Sequence, residues 1–163
     1  MGHPKRQKRK YSRPKRPYNK ERIEREKKLK QEYGLRRKRE IWKAEAILRE
    51  FRRRGRELQA HRNEKKEQEL IGKLNKLGLK CQSLDDVLET RLDSILSRRL
   101  QTLVYKKGFA NSARHARQLI VHGHIFVERR KITWPSYLVE SDKEEKIALS
   151  PKIKMSVVEQ KSE

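Results

Sequence analysis

The residues of this chain best suited to chemistry are cations, not nucleophiles. Ser112 reads as the N-cap of a helix that carries Arg114, Arg117 and Gln118 on one face. Ala113, Ala116, Leu119 and Ile120 would form its buried face. A helix start offers free backbone N–H groups and the positive end of the helix dipole, a natural place for phosphate. Arg98 and Arg99 upstream, Lys106 and Lys107 near a helix end, and His122 and His124 near a turn can join that face. A guanidinium presents a planar fork to phosphate oxygens that an ammonium does not match. Two further basic groups lie nearer the N-terminus: the run Arg52-Arg53-Arg54, and Arg13, Lys15 and Arg16 among prolines. By residue chemistry alone, such a face fits duplex DNA or folded RNA.

Other reactive types have duller readings. Cys81 is the one cysteine, which excludes an internal disulfide and a cysteine-based zinc site. It reads as a small buried hydrophobe. His115, His122 and His124 lack thiolate partners and a metal-site spacing, so no metal and no cofactor is expected. Glu144 and Glu145 read as a turn, not an acid–base pair. No phosphate-binding loop, dinucleotide glycine motif, nucleophile elbow or His-Glu-x-x-His occurs, so no catalytic residues are assigned. Trp42 borders an apolar stripe and is expected to pack, while Trp134 is open to base stacking or to covering a small sheet. Tyr105 stands near the polar side of its helix and receives no assignment.

Composition narrows the partner. The 163 residues hold 45 Lys and Arg against 22 Asp and Glu, a net charge of +23, with 41% charged and 33% hydrophobic residues. That is too polar for one large core. No apolar run approaches a membrane span, and no basic helix has a broad apolar face, so neither a membrane nor a small-molecule substrate is the expected partner. The charge is uneven. Residues 1–80 hold 30 basic and 11 acidic residues, net +19, whereas 81–163 hold 15 and 11, net +4. An intracellular protein that meets a nucleic acid is the expectation.

The elements that must position these cations follow from periodicity. Residues 1–20 carry nine basic residues, three prolines and no acid, and are expected to form an extended arm, disordered on its own. A helix is predicted over 20–33, ended by Gly34. Ile41, Ala44, Leu48, Phe51, Gly55 and Leu58 trace the apolar stripe of a second helix. Leu70, Ile71, Leu74, Leu77 and Leu79 mark a third. Ser83 with Asp86, and Thr90 with Asp93, read as capping boxes of a short helix and a longer one. The longer one carries Leu92, Ile95, Leu96, Leu100, Leu103 and Val104 and stops at Gly108. After Gly123 the period changes. Ile125–Val127, a connection over 128–131, and 132–134 read as a hairpin, with 137–139 and 147–149 as further strands. The expected class is α+β. Its parts are an arm (1–20), a basic helical region (21–90), a helix-turn-helix with a small antiparallel sheet (91–150) and a tail (151–163).

At this point the residues resemble a known module. Arg98-Arg99-Leu100-Gln101, Val104-Tyr105-Lys106-Lys107-Gly108-Phe109-Ala110, Ser112 through Ile120, His122 through Val127, and Ile132 through Tyr137 are similar to the S-four RNA-binding domain. The N-terminal half adds Tyr11 through Tyr18, Arg22-Ile23, Tyr33-Gly34-Leu35, Glu40 through Glu45 and Phe51 through Arg54. These resemble the archaeal and eukaryotic branch of the universal S-four family, small-subunit ribosomal protein four. The short C-terminal end suits an archaeal member, and the single cysteine rules out the zinc knuckle of many bacterial relatives. The resemblance implies a cytoplasmic, non-enzymatic constituent of the small ribosomal subunit. Such a protein binds 16S-type rRNA first, clamps a 5′-domain junction, starts assembly and lies near the mRNA entry path beside S-three and S-five. It places the rRNA contacts on the residues above, with Arg114 and Arg117 both exposed. Two alternatives stand beside it. One is a nucleolar relative that binds a small RNA in pre-ribosome processing. The other is a pseudouridine synthase guided by this module, which would need a catalytic domain that this length does not accommodate.

Overall fold

A computed structural model describes residues 10–151; the first half of the arm and nearly all of the 151–163 tail lie outside the described residues. The chain opens with helices α1 (Lys20–Glu32), α2 (Lys38–Ala60) and α3 (Glu64–Lys76). Asn19 and Asn63 cap α1 and α3 by accepting the backbone N–H three residues on. The apolar stripe of α2 behaves as expected: Ile41, Ala44, Leu48 and Gly55 are buried along one face. Full burial of one large aliphatic side chain stabilises by about 1.5–3 kcal/mol. Such packing holds these polar helices, since isolated helices of this length are marginal.

Helix α4 (Leu84–Glu89) begins at the capping box of Ser83 and Asp86, as the sequence suggests. The second box does not form. Thr90 ends α4, and its hydroxyl donates to the Asp86 carbonyl at 3.0 Å. The expected long helix over 92–107 is two helices, α5 (Leu92–Ser97) and α6 (Leu100–Lys106). The break has a definite cause. Arg98 and Arg99 leave the helix to form a bridge with the 137–139 segment. There the Leu100 N–H donates to the Tyr137 carbonyl at 2.7 Å, and the Val139 N–H to the Arg98 carbonyl at 3.0 Å. The expected strand at 137–139 is therefore a single bridge, Arg99 with Leu138.

Helix α7 (Ala113–Val121) starts at Ser112, whose hydroxyl accepts the His115 N–H at 3.1 Å. Strands β1 (Ile125–Val127), β2 (Arg130–Lys131) and β3 (Ile147–Leu149) form a sheet of order β2-β1-β3, both pairs antiparallel, with the short α8 (Ser141–Glu144) before β3. The hairpin is tighter than expected. Glu128 and Arg129 take positive φ values of 51° and 67°, the two-residue turn that matches strand twist. The partner strand thus starts at Arg130, not at Ile132, and Trp134 falls beyond it.

Among the described residues the buried apolar side chains gather in three small cores. Leu100, Val104, Ala116, Ile120, Ile125 and Val139 centre the C-terminal module. Leu35, Ile41, Ala44 and Leu48 pack with Ile95 and Leu96, so α2 and α5 share one core. Leu70, Leu74, Cys81 and Val87 form the third, and Cys81 is the buried small hydrophobe expected of it.

The two halves also touch at Gly34. Its φ is +58°, and a Cβ there would lie 2.8 Å from the Cβ of Ala113 at the start of α7. Gly34→Ala is expected to lower stability by at least about 2 kcal/mol, from left-handed strain plus overpacking. Urea denaturation of the full chain measures this, and an unchanged midpoint would show that the contact is unimportant.

Candidate nucleic-acid interface

The centre of the molecule is a carboxylate. Glu40 sits in the first turn of α2, where its Oε1 accepts the backbone N–H groups of Arg36 and Arg37, each at 3.3 Å. Its Oε2 accepts from Arg99 at 2.6 Å, and both oxygens accept from Arg117 Nη1, at 3.1 and 3.0 Å. One acidic group on α2 therefore ties the turn before α6 to the middle of α7. Burial works to raise the Glu40 pKa, but the hydrogen bonds from Arg117 and the charges of Arg99 and Arg117 outweigh it and hold it below the ordinary carboxylate value. Beside it lies Gln101, fully buried. Its amide donates to the carbonyls of Tyr33 at 3.2 Å, Gly34 at 3.0 Å and Ala113 at 2.8 Å. Neither Glu40 nor Gln101 was assigned a role by sequence reasoning. Their only trace was membership of the matched motifs.

The arginines expected on one RNA face divide into two sets. Arg99 is 4% exposed and is spent on Glu40, so it is not available to an outside ligand. Arg98 is partly buried. It pairs with Glu144 at 2.6 Å and donates to the Val139 carbonyl, and its guanidinium packs over Gly78, 2.9 Å from where a Cβ would lie. Lys107 donates to the Glu144 carbonyl. Arg117, expected exposed, is partly buried against Glu40, because its side chain points toward α2 and not along the Arg114 face. Arg52 turns inward to the Thr90 carbonyl at 2.7 Å. Arg53 and Arg54 are exposed, but both bind Glu50, which their hydrogen bonds pull down to a pKa of about 2.

The second set faces outward. Arg114 and Gln118 are exposed on α7, next to the exposed cap Ser112. Lys106 and His122 are exposed, and the partly buried His124 stacks on His122 with ring centroids 6.3 Å apart. Trp134 is 68% exposed, so it does not cover the sheet. Arg13, Lys15 and Arg16 are exposed in the described part of the arm. That part is tethered, contrary to the expectation of a free arm. Tyr11 packs at a tilt against Trp42 with ring centroids 6.0 Å apart, Ser12 accepts from Arg49 at 2.7 Å, and the Pro17 carbonyl accepts from Arg22. Trp42 packs as expected and donates its indole N–H to Glu26, which is 3% exposed and also paired with Arg22 and Lys38.

Among the described residues no group of His, Cys, Asp or Glu is arranged to hold a metal ion, and no helix is long and apolar enough to cross a membrane. What remains is an interlocked scaffold with cations on its outside. Such an outer surface can meet a polyanion. The model of the S4 domain, an RNA-binding module, matches residues 98–144. The small ribosomal subunit protein uS4 of Ignicoccus hospitalis is 50% identical over 156 residues, covering 93% of this chain and 94% of its own. That of Hyperthermus butylicus is 49% identical, covering 93% and 89%, and that of Methanococcus aeolicus is 47% identical, covering 96% and 92%. The chain belongs to the family of small ribosomal subunit protein uS4.

The Glu40 latch has a pH signature. Its lowered pKa in the folded state contributes stability above the unfolded value near 4.5, and that stability is lost as pH falls through the lower folded value. Glu40→Gln should cost about 3 kcal/mol at neutral pH, because it leaves two inward guanidinium groups without their anion. The gap from the natural chain should narrow as pH drops below 4.5. Urea midpoints of both proteins between neutral and acid pH test this; a gap that does not change with pH would remove the carboxylate from its assigned role. Arg117→Glu, placing two carboxylates together, should lower the melting temperature as well.

Proposed function

We propose that this chain is a structural, non-catalytic constituent of the small ribosomal subunit and a primary binder of its 16S-type rRNA. In this reading it clamps a multi-helix junction of the 5′ domain, helps to start subunit assembly, and lies near the mRNA entry path with S-three and S-five as neighbours. The arm over 1–20, the helical region 21–90 and the RNA-binding module 91–150 act together on the RNA, with the tail 151–163 at the end. The cytoplasm, in the small subunit, is its place of work.

One observation carries the reading. The α7 start, with Ser112, Arg114 and Gln118 exposed, is locked against the N-terminal helices through Gly34, Gln101 and Glu40. A surface preorganised in this way loses little entropy when a rigid RNA fold docks on it. Arg114, Lys106, Arg13, Lys15 and Arg16 are exposed and supply the charge. Contacts of this type go mainly to phosphate and 2′-hydroxyl groups, so RNA shape rather than base identity sets specificity. Arg98, Arg99 and Arg117 serve as the frame that aims this surface, and Arg53 and Arg54 bring less net charge to it than their number suggests. Family membership adds to this support.

Two results are expected from the pure protein and small-subunit rRNA. With about ten phosphates neutralised, log K should fall against log salt with a slope of roughly −7 to −9. Arg114→Glu should weaken binding by on the order of 100-fold, from a lost charged contact and added repulsion, while circular dichroism stays unchanged. Filter binding with hydroxyl-radical footprinting reads both. No protected rRNA segment, or full affinity in Arg114→Glu, would contradict the reading.

A further inference from the structure

The densest basic run that no sequence motif assigned is Arg36-Arg37-Lys38-Arg39, at the start of α2. All four residues are exposed. Lys38 pairs with Glu26 at 3.1 Å, but the side chains of Arg36, Arg37 and Arg39 have no acidic partner among the described residues. This contrasts with Arg53 and Arg54, which share Glu50. Arg37, Lys38 and Arg39 line a shallow concavity together with Arg13 of the arm and Trp42. Glu40, the nearest carboxylate in sequence, is turned away from it and occupied by Arg99 and Arg117. A concavity walled by guanidinium groups and lacking a free carboxylate suits an anion with several oxygens in a row.

The concavity does not stand alone. Gly34 is two residues from Arg36, and a Cβ on Gly34 would lie 3.1 Å from the Arg114 backbone nitrogen. Two residues of chain span at most about 7 Å, so the Arg36 backbone lies within about 12 Å of the Arg114 backbone and their side chains can meet across that gap. The cations at the start of α2 and those at the start of α7 therefore border the same seam. Gln101 and Glu40 hold that seam shut from beneath.

We propose that Arg36, Arg37 and Arg39, with Arg13 beside them and Arg114 across the seam, form one continuous site for the phosphodiester backbone of a single RNA segment. This rests on the rRNA-binding reading above and deepens it by naming a contact that the module's own motif does not contain. Each guanidinium can meet two phosphate oxygens at once, and the cations at the starts of α2 and α7 border one seam, so they can meet successive phosphates of one strand. The alternative occupant, an acidic protein segment, is less favoured because the seam runs on to Arg114, which the reading above assigns to RNA.

The test uses the full chain and transcribed small-subunit rRNA. The triple variant Arg36→Ala, Arg37→Ala, Arg39→Ala is compared with a control of equal charge loss on α3 and the turn before it, Arg62→Ala, Lys66→Ala, Lys73→Ala. The first triple should weaken binding at least ~10-fold more than the control. Its salt slope should shrink by about two to three. Its footprint should lose protection over the same nucleotides that Arg114→Ala exposes, and an Arg→Lys triple should restore the slope but only part of the affinity. Equal effects of the two triples, or lost protection at a segment separate from that of Arg114→Ala, would overturn the proposal while leaving rRNA binding in place. Unchanged rRNA affinity of the first triple with lost retention on a poly-glutamate matrix would assign the surface to an acidic protein segment instead. If the natural chain itself protects no rRNA, the broader reading fails and the site falls with it. Thermal melting of each variant separates loss of contact from loss of fold.

Discussion

The arrangement of this molecule depends on how one carboxylate is shared. A carboxylate has about four acceptor positions, and Glu40 fills them with two backbone N–H groups and two guanidinium groups from a distant part of the chain. The backbone pair fixes the start of α2, and the arginine pair fixes α6 and α7 relative to it. Buried ion pairs give little net stability once desolvation is counted, so the consequence of this one lies chiefly in geometry. It sets one orientation between two halves that otherwise share a modest apolar core. Gln101 does the same with neutral groups, giving its amide to carbonyls from both sides of the seam.

This explains why so basic a protein uses arginine in two ways. An extended chain of net charge +23 repels itself, and no large core offsets that repulsion. Arg52, Arg98, Arg99 and Arg117 are drawn inward, where carbonyls and carboxylates satisfy them. They cross-link elements distant in sequence, as Arg98 does between the α3 end, the 139 carbonyl and α8. The outward cations, Arg114 and Lys106 among them, stay free because the frame is already neutralised beneath them. The outer surface thus has its shape settled by the chain itself.

Much of the frame was legible in the residues. Periodicity found the buried stripe of α2, the buried face of α7 and strands β1 and β3, because apolar spacing reports directly on which side meets a core. Ser83 and Ser112 marked true helix starts, since a cap is a local interaction. The failures are also instructive. Leu92 through Val104 has unbroken helical periodicity, yet the helix parts at Arg98 and Arg99 to make a bridge with residues forty positions downstream. The hairpin was placed two residues late because a turn with two non-glycine residues at positive φ carries no glycine signal. The tethering of Tyr11 and Ser12 rests on partners in α2 that a disorder-like composition does not reveal.

What the sequence by itself determined was the chemistry and the class: a polycationic α+β protein with an S4 domain, built for nucleic acid and not for catalysis. Charge totals, apolar periods and caps are additive or local, so they can be read along a line. Which arginines face outward was decided only in three dimensions. A guanidinium in the sequence looks the same whether it ends against Glu40 or in solvent, and the difference between Arg117 and Arg114 comes from a carboxylate seventy-seven residues away from the first of them.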